Sequence, residues 1–182
     1  DATGVNGDQA NDGADQSGAA YVFVRKGSNW SQQAYLKAST AITNGNGYRF
    51  GSSVSVSDDT IAVGATHSRE GGPLSPGAVY IFVRSGTNWS QQAYLTNYAS
   101  QQILTFGSTV AVSANTVVVG TSSDDSNATG VNGNPNNHSA YGAGAAHVFV
   151  RTGTNWTRQA YLKASNAAAN DNFGFAVSLF GD

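Results

Sequence analysis

Cysteine is absent from this 182-residue chain, which excludes a disulfide framework, a thiolate zinc site and a cysteine nucleophile. Charge is scarce as well, because 9 basic and 11 acidic residues give a net charge of -2. Without a basic surface, neither nucleic acid nor an anionic membrane is an expected partner. No apolar run approaches the roughly 20 residues that span a bilayer, so membrane insertion is not expected either.

The chain begins at Asp1, with neither Met nor the pattern of a signal peptide. We therefore expect a processed product or part of a longer chain, and a removed signal peptide remains open. Gly, Ser, Thr, Asn and Ala are abundant, whereas Glu70 is the one glutamate. This composition suits an uncharged surface, so it predicts an extracellular or cell-surface location.

One sequence pattern occurs three times. A Gly-Ala segment ending in Arg is followed by Asn-Trp and then by Gln-Ala-Tyr-Leu, and the copies begin at Gly18, Gly77 and Gly144. A Phe-Gly pair closes each copy, at Phe50-Gly51, Phe106-Gly107 and Phe173-Gly174. Because one such unit cannot bury its own apolar face, the units are expected to stack.

Each unit is predicted to hold four short antiparallel strands. The four strands are clearest from Phe50 to Leu95. Residues 50–57 alternate Ser and Val like a half-buried strand, and Asp58-Asp59 turns the chain into the apolar strand 60–65. Residues 77–84 and 91–95 complete the unit around a Gly-containing turn. No helical period of useful length appears, so the chain is predicted to be all-β.

Units of this length, with recurring Gly and aromatic residues, favour four-stranded propeller blades over a sandwich or a solenoid. A sandwich does not need a repeated sequence, and solenoid coils are shorter than the 59 residues from Gly18 to Gly77. We expect a single repeat array over 1–182. Its parts are a partial blade of two strands plus a loop at 1–49, blades at 50–105 and 106–172, and the first strand of a further blade at 173–182.

The order Phe-Gly, Ser/Val strand, Val-Gly-Ala and Gly-Ala-x-Tyr-x-Phe between Phe50 and Arg84 resembles the FG-GAP repeat. That repeat is the blade of integrin-α-like propellers, and the resemblance covers essentially the whole chain. It implies propeller blades, and the three copies in 182 residues predict an incomplete propeller of about three repeats. It also implies a location outside the cell, adhesion or ligand binding, and often calcium in the blade loops.

Two acidic loops are candidate calcium sites. The first loop holds Asp8, Asp12 and Asp15, which together offer enough oxygen for a hard cation. Its ATGVNG segment at 2–7 returns at 128–133, where the acids are replaced by Asn134, His138 and Tyr141. Asp124 and Asp125 form the second candidate but lack alternating ligand spacing. A solvated polar loop with Asx turns is the favoured interpretation of both.

No catalytic arrangement is evident from local spacing. The histidines His67, His138 and His147 lie in unrelated contexts, and His147 takes a strand position that is Tyr in the other two units. Neither a Ser-His-Asp pattern nor a carboxylate pair emerges, so a non-enzymatic protein is predicted. A triad assembled only in three dimensions would escape this test.

Three arginines and three tryptophans recur at equivalent positions. Arg25, Arg84 and Arg151 end strands, where a solvent-reaching charge is favoured over an anion-binding ring. Trp30, Trp89 and Trp156 would either stack on sugars or pack between blades, and packing is favoured because aromatic burial removes so much area from water. The motif residues Phe50, Phe106 and Phe173 are assigned to packing as well.

Five N-x-S/T sequons are candidate glycosylation sites: Asn29, Asn88, Asn155, Asn127 and Asn137. The first three are copies of one turn and count as a single observation. An intact mass of 18.7 kDa would mean an unmodified chain.

The terminal strands would leave unpaired sheet edges, and closed propellers typically need four to eight blades. We therefore expect a structural or adhesive protein that joins neighbouring repeats or subunits. The join is either covalent, in a longer array, or a head-to-tail contact that produces a ring or filament. The alternative is a ligand-binding propeller fragment that recognises a protein or glycan through its loops, with calcium as the candidate cofactor. A hydrolase is a third class.

Overall fold

The computed structural model describes residues 2–11, 13–14, 16–39, 49–66, 77–97 and 105–181. These residues form ten strands and no helix, and thus no helix that is long and apolar enough to cross a membrane. The strands are β1 (Ala20–Lys26), β2 (Asn29–Leu36), β3 (Phe50–Ser57), β4 (Thr60–Ala65), β5 (Ala78–Ser85), β6 (Asn88–Thr96), β7 (Thr109–Ser113), β8 (Thr116–Thr121), β9 (Ala145–Thr152) and β10 (Asn155–Leu162).

The strands form three antiparallel sheets. Two sheets have four strands each, in the orders β3-β4-β5-β6 and β7-β8-β9-β10, and the third pairs β1 with β2. Neighbouring strands are consecutive in sequence; two-residue turns join five of the pairs, and longer loops join β4 to β5 and β8 to β9. The all-β prediction with four-stranded antiparallel blades is confirmed, and the arrangement is propeller-like without being closed.

Two-residue turns join β3 to β4 and β7 to β8, and the side chains of these turns bind Arg84 and Arg151. In the β3–β4 hairpin, Asp58 has a φ of 50°, and the carboxylate of Asp59 pairs with Arg84 at 2.6 Å. In the third blade, which is the sheet of β7 to β10, Asn115 takes the place of Asp59 in the equivalent turn. Its Oδ1 accepts hydrogen bonds of 2.9 and 2.7 Å from Arg151. These two arginines therefore tie the inner turn of a blade to the end of its third strand.

Two apolar clusters lie between the sheets. One packs β1 and β2 against the second sheet and includes Leu36, Val63 and Phe82. The other packs the second sheet against the third and includes Ile81 and Val117. Strand β5 contributes to both clusters because its alternate residues point to opposite faces and those from Ala78 to Phe82 are all apolar and buried. Strands β4, β5 and β6 of the middle blade thus have apolar partners on both faces.

Two expectations differ from the structure at the ends of the array. Residues 173–180 do not form a strand, because Phe173 makes one isolated bridge to Gly144 and the rest has no strand beside it among the described residues. Strand β3 does form, but Val54 and Val56 are 60% and 66% exposed. Their counterparts in β7 are buried because the preceding blade packs over them.

Candidate functional site

The junction between successive blades is the feature that the structure repeats most closely. At each junction the Phe of one unit forms a parallel bridge with the Gly that opens the third strand of the unit before. The three bridges are Gly18 with Phe50, Gly77 with Phe106 and Gly144 with Phe173. The Phe-Gly and Gly-Ala motifs of the sequence are therefore the two sides of one backbone contact.

Glycine is required at this contact because two backbones cross where a side chain would stand. A Cβ on Gly64 would lie 2.0 Å from the carbonyl oxygen of Gly107, although the φ of Gly64 suits any residue. Gly107 has a φ of +85°, and its own Cβ would lie 2.5 Å from the oxygen of Ala78. The next junction repeats this geometry, with a Cβ on Gly120 2.0 Å from the oxygen of Gly174.

Two of the three motif phenylalanines pack on the third strand of their own blade. Phe50 meets Tyr80 and Phe82 edge-on, with ring centroids 5.2 and 6.1 Å apart. Phe106 has the equivalent neighbours in the third blade, with its ring centroid 5.4 Å from that of His147, which replaces the tyrosine, and 6.2 Å from that of Phe149. Phe173 is more exposed than either of them.

A tryptophan–glutamine pair links each blade to the one before it. The indole Nε1 of Trp89 donates to Gln33 Oε1 at 2.8 Å, and Trp156 donates to Gln92 at 2.9 Å. Each glutamine is the extra residue of a β-bulge in the outermost strand, so its side chain is aimed at the next blade. The blades are thus locked together by a direct bond as well as by apolar packing.

One end of the array exposes the half of this interface that carries the tryptophan. Trp30 is 65% exposed, whereas Trp89 is 7% exposed. Tyr21 and Phe23, on the same face of β1, are also exposed, although their counterparts Tyr80 and Phe82 are fully buried. Beside them lies a groove of about 640 Å³, with Val54, Val56 and Ile61 on its far wall.

The opposite end exposes the half that carries the glutamine. Gln159 is the bulge residue of β10, equivalent to Gln33 and Gln92, and it is exposed. Around it, Val148 and Leu162 are half-buried, although their counterparts Ile81 and Leu95 are buried against the next blade. The two ends of the array therefore present complementary halves of the junction.

The repeated ATGVNG segments cover the outer edges of two blades. Asn132 donates its N–H to Tyr161 O at 2.7 Å, and its Oδ1 accepts the N–H of Tyr161 at 2.9 Å. Asn6 makes the same pair of bonds with Tyr35. Because a free strand edge invites pairing with another chain, each segment protects the C-terminal end of the outermost strand of its blade.

Asp124, a candidate calcium ligand, lies buried in an ion pair instead. Its Oδ1 accepts from Lys163 Nζ at 3.1 Å, from the Tyr161 hydroxyl at 2.8 Å and from the N–H of Ser126 at 2.9 Å. Burial and the nearby carboxylate raise the pKa of Tyr161 above its ordinary value. The cluster pins the loop after β8 to the outer strand β10.

The other acidic candidates hold turns where the structure describes them. Asp8 Oδ1 accepts the N–H of Ala10, and Asp125 Oδ1 accepts that of Gly142 at 2.7 Å. Asp12, Asp15 and His67 lie outside the described residues. Within the described ranges, no three acidic or histidine side chains come together in a group that would hold a metal ion.

His147 is fully buried in the strand position that Tyr80 occupies in the second blade. Its ring lies 5.4 Å from that of Phe106 and 5.2 Å from that of Tyr161. Burial lowers the pKa of His147 to about 3, and the charges of Arg158 and Lys163 act in the same direction. The folded chain therefore keeps this imidazole neutral.

We expect stability to fall in mild acid because of this histidine. The unfolded chain takes up a proton below pH 6.5 and the folded chain does not, so the free energy of unfolding drops by about 1.4 kcal/mol per pH unit toward pH 3. His147→Tyr, which restores the residue of the other units, should remove about 2 kcal/mol of the loss between pH 7 and pH 5. Urea unfolding at both pH values measures it, with the exposed His138→Gln as the control. If the free energy of unfolding fell equally between pH 7 and pH 5 for the unchanged chain and both variants, His147 would not be the cause of the acid sensitivity.

All five sequon asparagines are exposed. Asn29, Asn88 and Asn155 each open the outermost strand of a sheet, directly after a two-residue turn. Asn127 and Asn137 lie in the loop between β8 and β9. Their side chains are accessible to a modifying enzyme.

Two of these features went unrecognised in the sequence, although it carried a signal for each. The bulge glutamines stand at the same place in all three units, two residues before Tyr35, Tyr94 and Tyr161. The edge segments occur only in the two units whose outer strand ends in AYLKAS, and the middle unit has AYLTNY instead. That co-occurrence pairs each segment with its strand.

Repeated four-stranded meanders joined by glycine crossings define an open β-propeller-type repeat protein. The FG-GAP repeat profile matches residues 30–82, 89–149 and 156–182, each match beginning at one of the three tryptophans. These matches cover more than half of the chain, which therefore belongs to the FG-GAP repeat family. Among curated proteins, no significant match is found.

FG-GAP repeats are found in extracellular proteins that act in adhesion or ligand binding. The family is generally non-enzymatic, and its repeats are typical of extracellular or surface proteins.

Proposed function

We propose that this chain is a non-enzymatic, extracellular structural or adhesive repeat protein that joins neighbouring repeats or subunits through its open blade ends. The observation that carries the proposal is the exposure of Trp30 at one end of the array. Its counterpart Trp89 is buried by the preceding blade and bonded to it. An exposed apolar surface whose counterparts elsewhere in the array are buried is typical of an interaction site.

The assembly part of this proposal is tested on the isolated 182-residue chain. Sedimentation velocity over a range of concentrations, with negative-stain microscopy, should show association into rings or fibres, because a head-to-tail contact closes or propagates. A chain that stays a folded monomer throughout that range would contradict self-assembly. Intact-mass measurement on chain secreted from a glycosylating host would show whether the exposed sequons are used.

Ligand recognition through the blade loops is the second candidate. The loop between β8 and β9 is held in place by Asp124 and Asp125, and it exposes the aromatic ring of Tyr141. An aromatic side chain on an anchored loop suits the binding of a protein or glycan. A melting temperature that rises with added calcium would favour the calcium-dependent form of this candidate.

A further inference from the structure

The two ends of the array fit each other because they are halves of an interface that the chain already forms twice. In both internal junctions, a bulge glutamine accepts a bond from the tryptophan of the following blade, at 2.8 and 2.9 Å. The free glutamine is Gln159 and the free tryptophan is Trp30. A second copy of this chain supplies the partner that each end lacks.

We propose that copies of this chain associate head to tail, with Trp30 of one copy donating its indole N–H to Gln159 of the next. This inference rests on the proposed function and assigns the residues of its interface. The exposed rings of Tyr21 and Phe23 then cover Val148 and Leu162 of the neighbouring copy. Each of these contacts repeats one that lies inside the chain, where Tyr80 and Phe82 belong to the buried core.

The segment after β10 takes part in the same contact. Residues 173–180 correspond in sequence to β3, and their exposed side chains include Phe175 and Phe180. In the internal junction, Ser55 Oγ of β3 accepts the N–H of Val112 in the next blade at 3.0 Å. Between two copies, the equivalent bond joins Ser178 Oγ of one copy, as acceptor, to the N–H of Val56 of the other.

The groove at the tryptophan end is the place for this segment. Its walls carry Tyr21, Phe23 and the exposed pair Val54 and Val56. In the third blade, the equivalent valines are buried against the blade before them. The segment of a second copy therefore lies over the valines that the first copy leaves in water, which extends an interface already present in the fold.

Two single substitutions separate the two halves of the interface. Trp30→Lys destroys the tryptophan end, and Gln159→Lys destroys the glutamine end. Both side chains are exposed, so both variants should fold like the unchanged chain. Each variant alone should associate at least about tenfold more weakly in sedimentation velocity, because it removes a central aromatic contact or its partner.

Mixing the two variants gives the decisive result. The intact glutamine end of the Trp30→Lys copy should bind the intact tryptophan end of the Gln159→Lys copy, and growth should stop at a 1:1 dimer because no second compatible pair of ends remains. Tyr141→Lys is the matched control, since it removes an exposed aromatic ring that belongs to neither end. It should assemble like the unchanged chain.

Three outcomes would overturn the inference. If the unchanged chain assembles and both variants assemble equally well, this interface is wrong, and only self-association as such survives, through another surface. A mixture that stays monomeric would likewise remove the head-to-tail contact alone. If the unchanged chain remains a monomer at every concentration, both the interface and the proposed self-assembly fail.

Discussion

Gly64→Ala is expected to destabilise the chain by about 3 kcal/mol or more, because the added methyl group has no room. Its Cβ would lie 2.0 Å from the carbonyl oxygen of Gly107 and 2.3 Å from Ser53 Oγ. Moving the carbonyl is costly, since Gly107 is itself held close to the backbone of Ala78. Urea unfolding followed by tryptophan fluorescence measures the loss.

Gly86→Ala in the same blade is the matched control. Gly86 has a φ of +63°, but an added Cβ there would meet nothing within 4 Å. It should cost only about 1–2 kcal/mol of conformational strain. Gly120→Ala should cost as much as Gly64→Ala, because its Cβ would lie 2.0 Å from the carbonyl oxygen of Gly174, and Gly174 is itself held close to the backbone of Ala145. A Gly64→Ala variant as stable as Gly86→Ala would contradict the close crossing.

Asp124→Ala is expected to cost about 3–5 kcal/mol, because it leaves the ammonium group of Lys163 buried without a counter-charge. Both side chains of the pair are almost wholly inaccessible, at 1% and 0%. The substitution also removes the acceptor of the Tyr161 hydroxyl. Equilibrium unfolding near neutral pH measures the effect.

The double variant Asp124→Ala with Lys163→Met should recover much of this loss, because it removes both charges together. Asp8→Ala is the control for a lost loop carboxylate, since Asp8 is exposed and accepts a backbone bond from Ala10 within its own turn. It should cost no more than about 1 kcal/mol. If Asp124→Ala were equally mild, the buried pair would not be what anchors the loop.

Local patterns were sufficient to predict most of the strands. The alternation of Ser and Val over 50–57, the apolar run 60–65 and the two acids between them specify a hairpin without help from distant residues, and β3 and β4 have these bounds. The Phe-Gly and Val-Gly-Ala patterns were also enough to identify the repeat. They did not show why glycine is needed, because the clash at Gly64 involves a residue 43 positions away, Gly107.

The three tryptophans show that burial cannot be predicted from the local sequence of equivalent residues. Their local sequences are nearly identical, yet Trp89 is buried, Trp156 is half-buried and Trp30 is exposed. What differs is the blade that stands before each of them, which is a property of the stacked array. The same holds for Val54 and Val56, whose alternation suggests a buried face that only a preceding blade would cover.

The sequence by itself determined the fold class, the β3–β4 hairpin with its bounds and the repeat family, because strand period and turn residues act over a few neighbours along the chain. Tertiary structure decided that Asp124 belongs to an ion pair, since its partner Lys163 is 39 residues away. It also decided which copies of a repeated residue are buried. Burial depends on packing between blades, and identical segments at the middle and at the ends of an array have different neighbours.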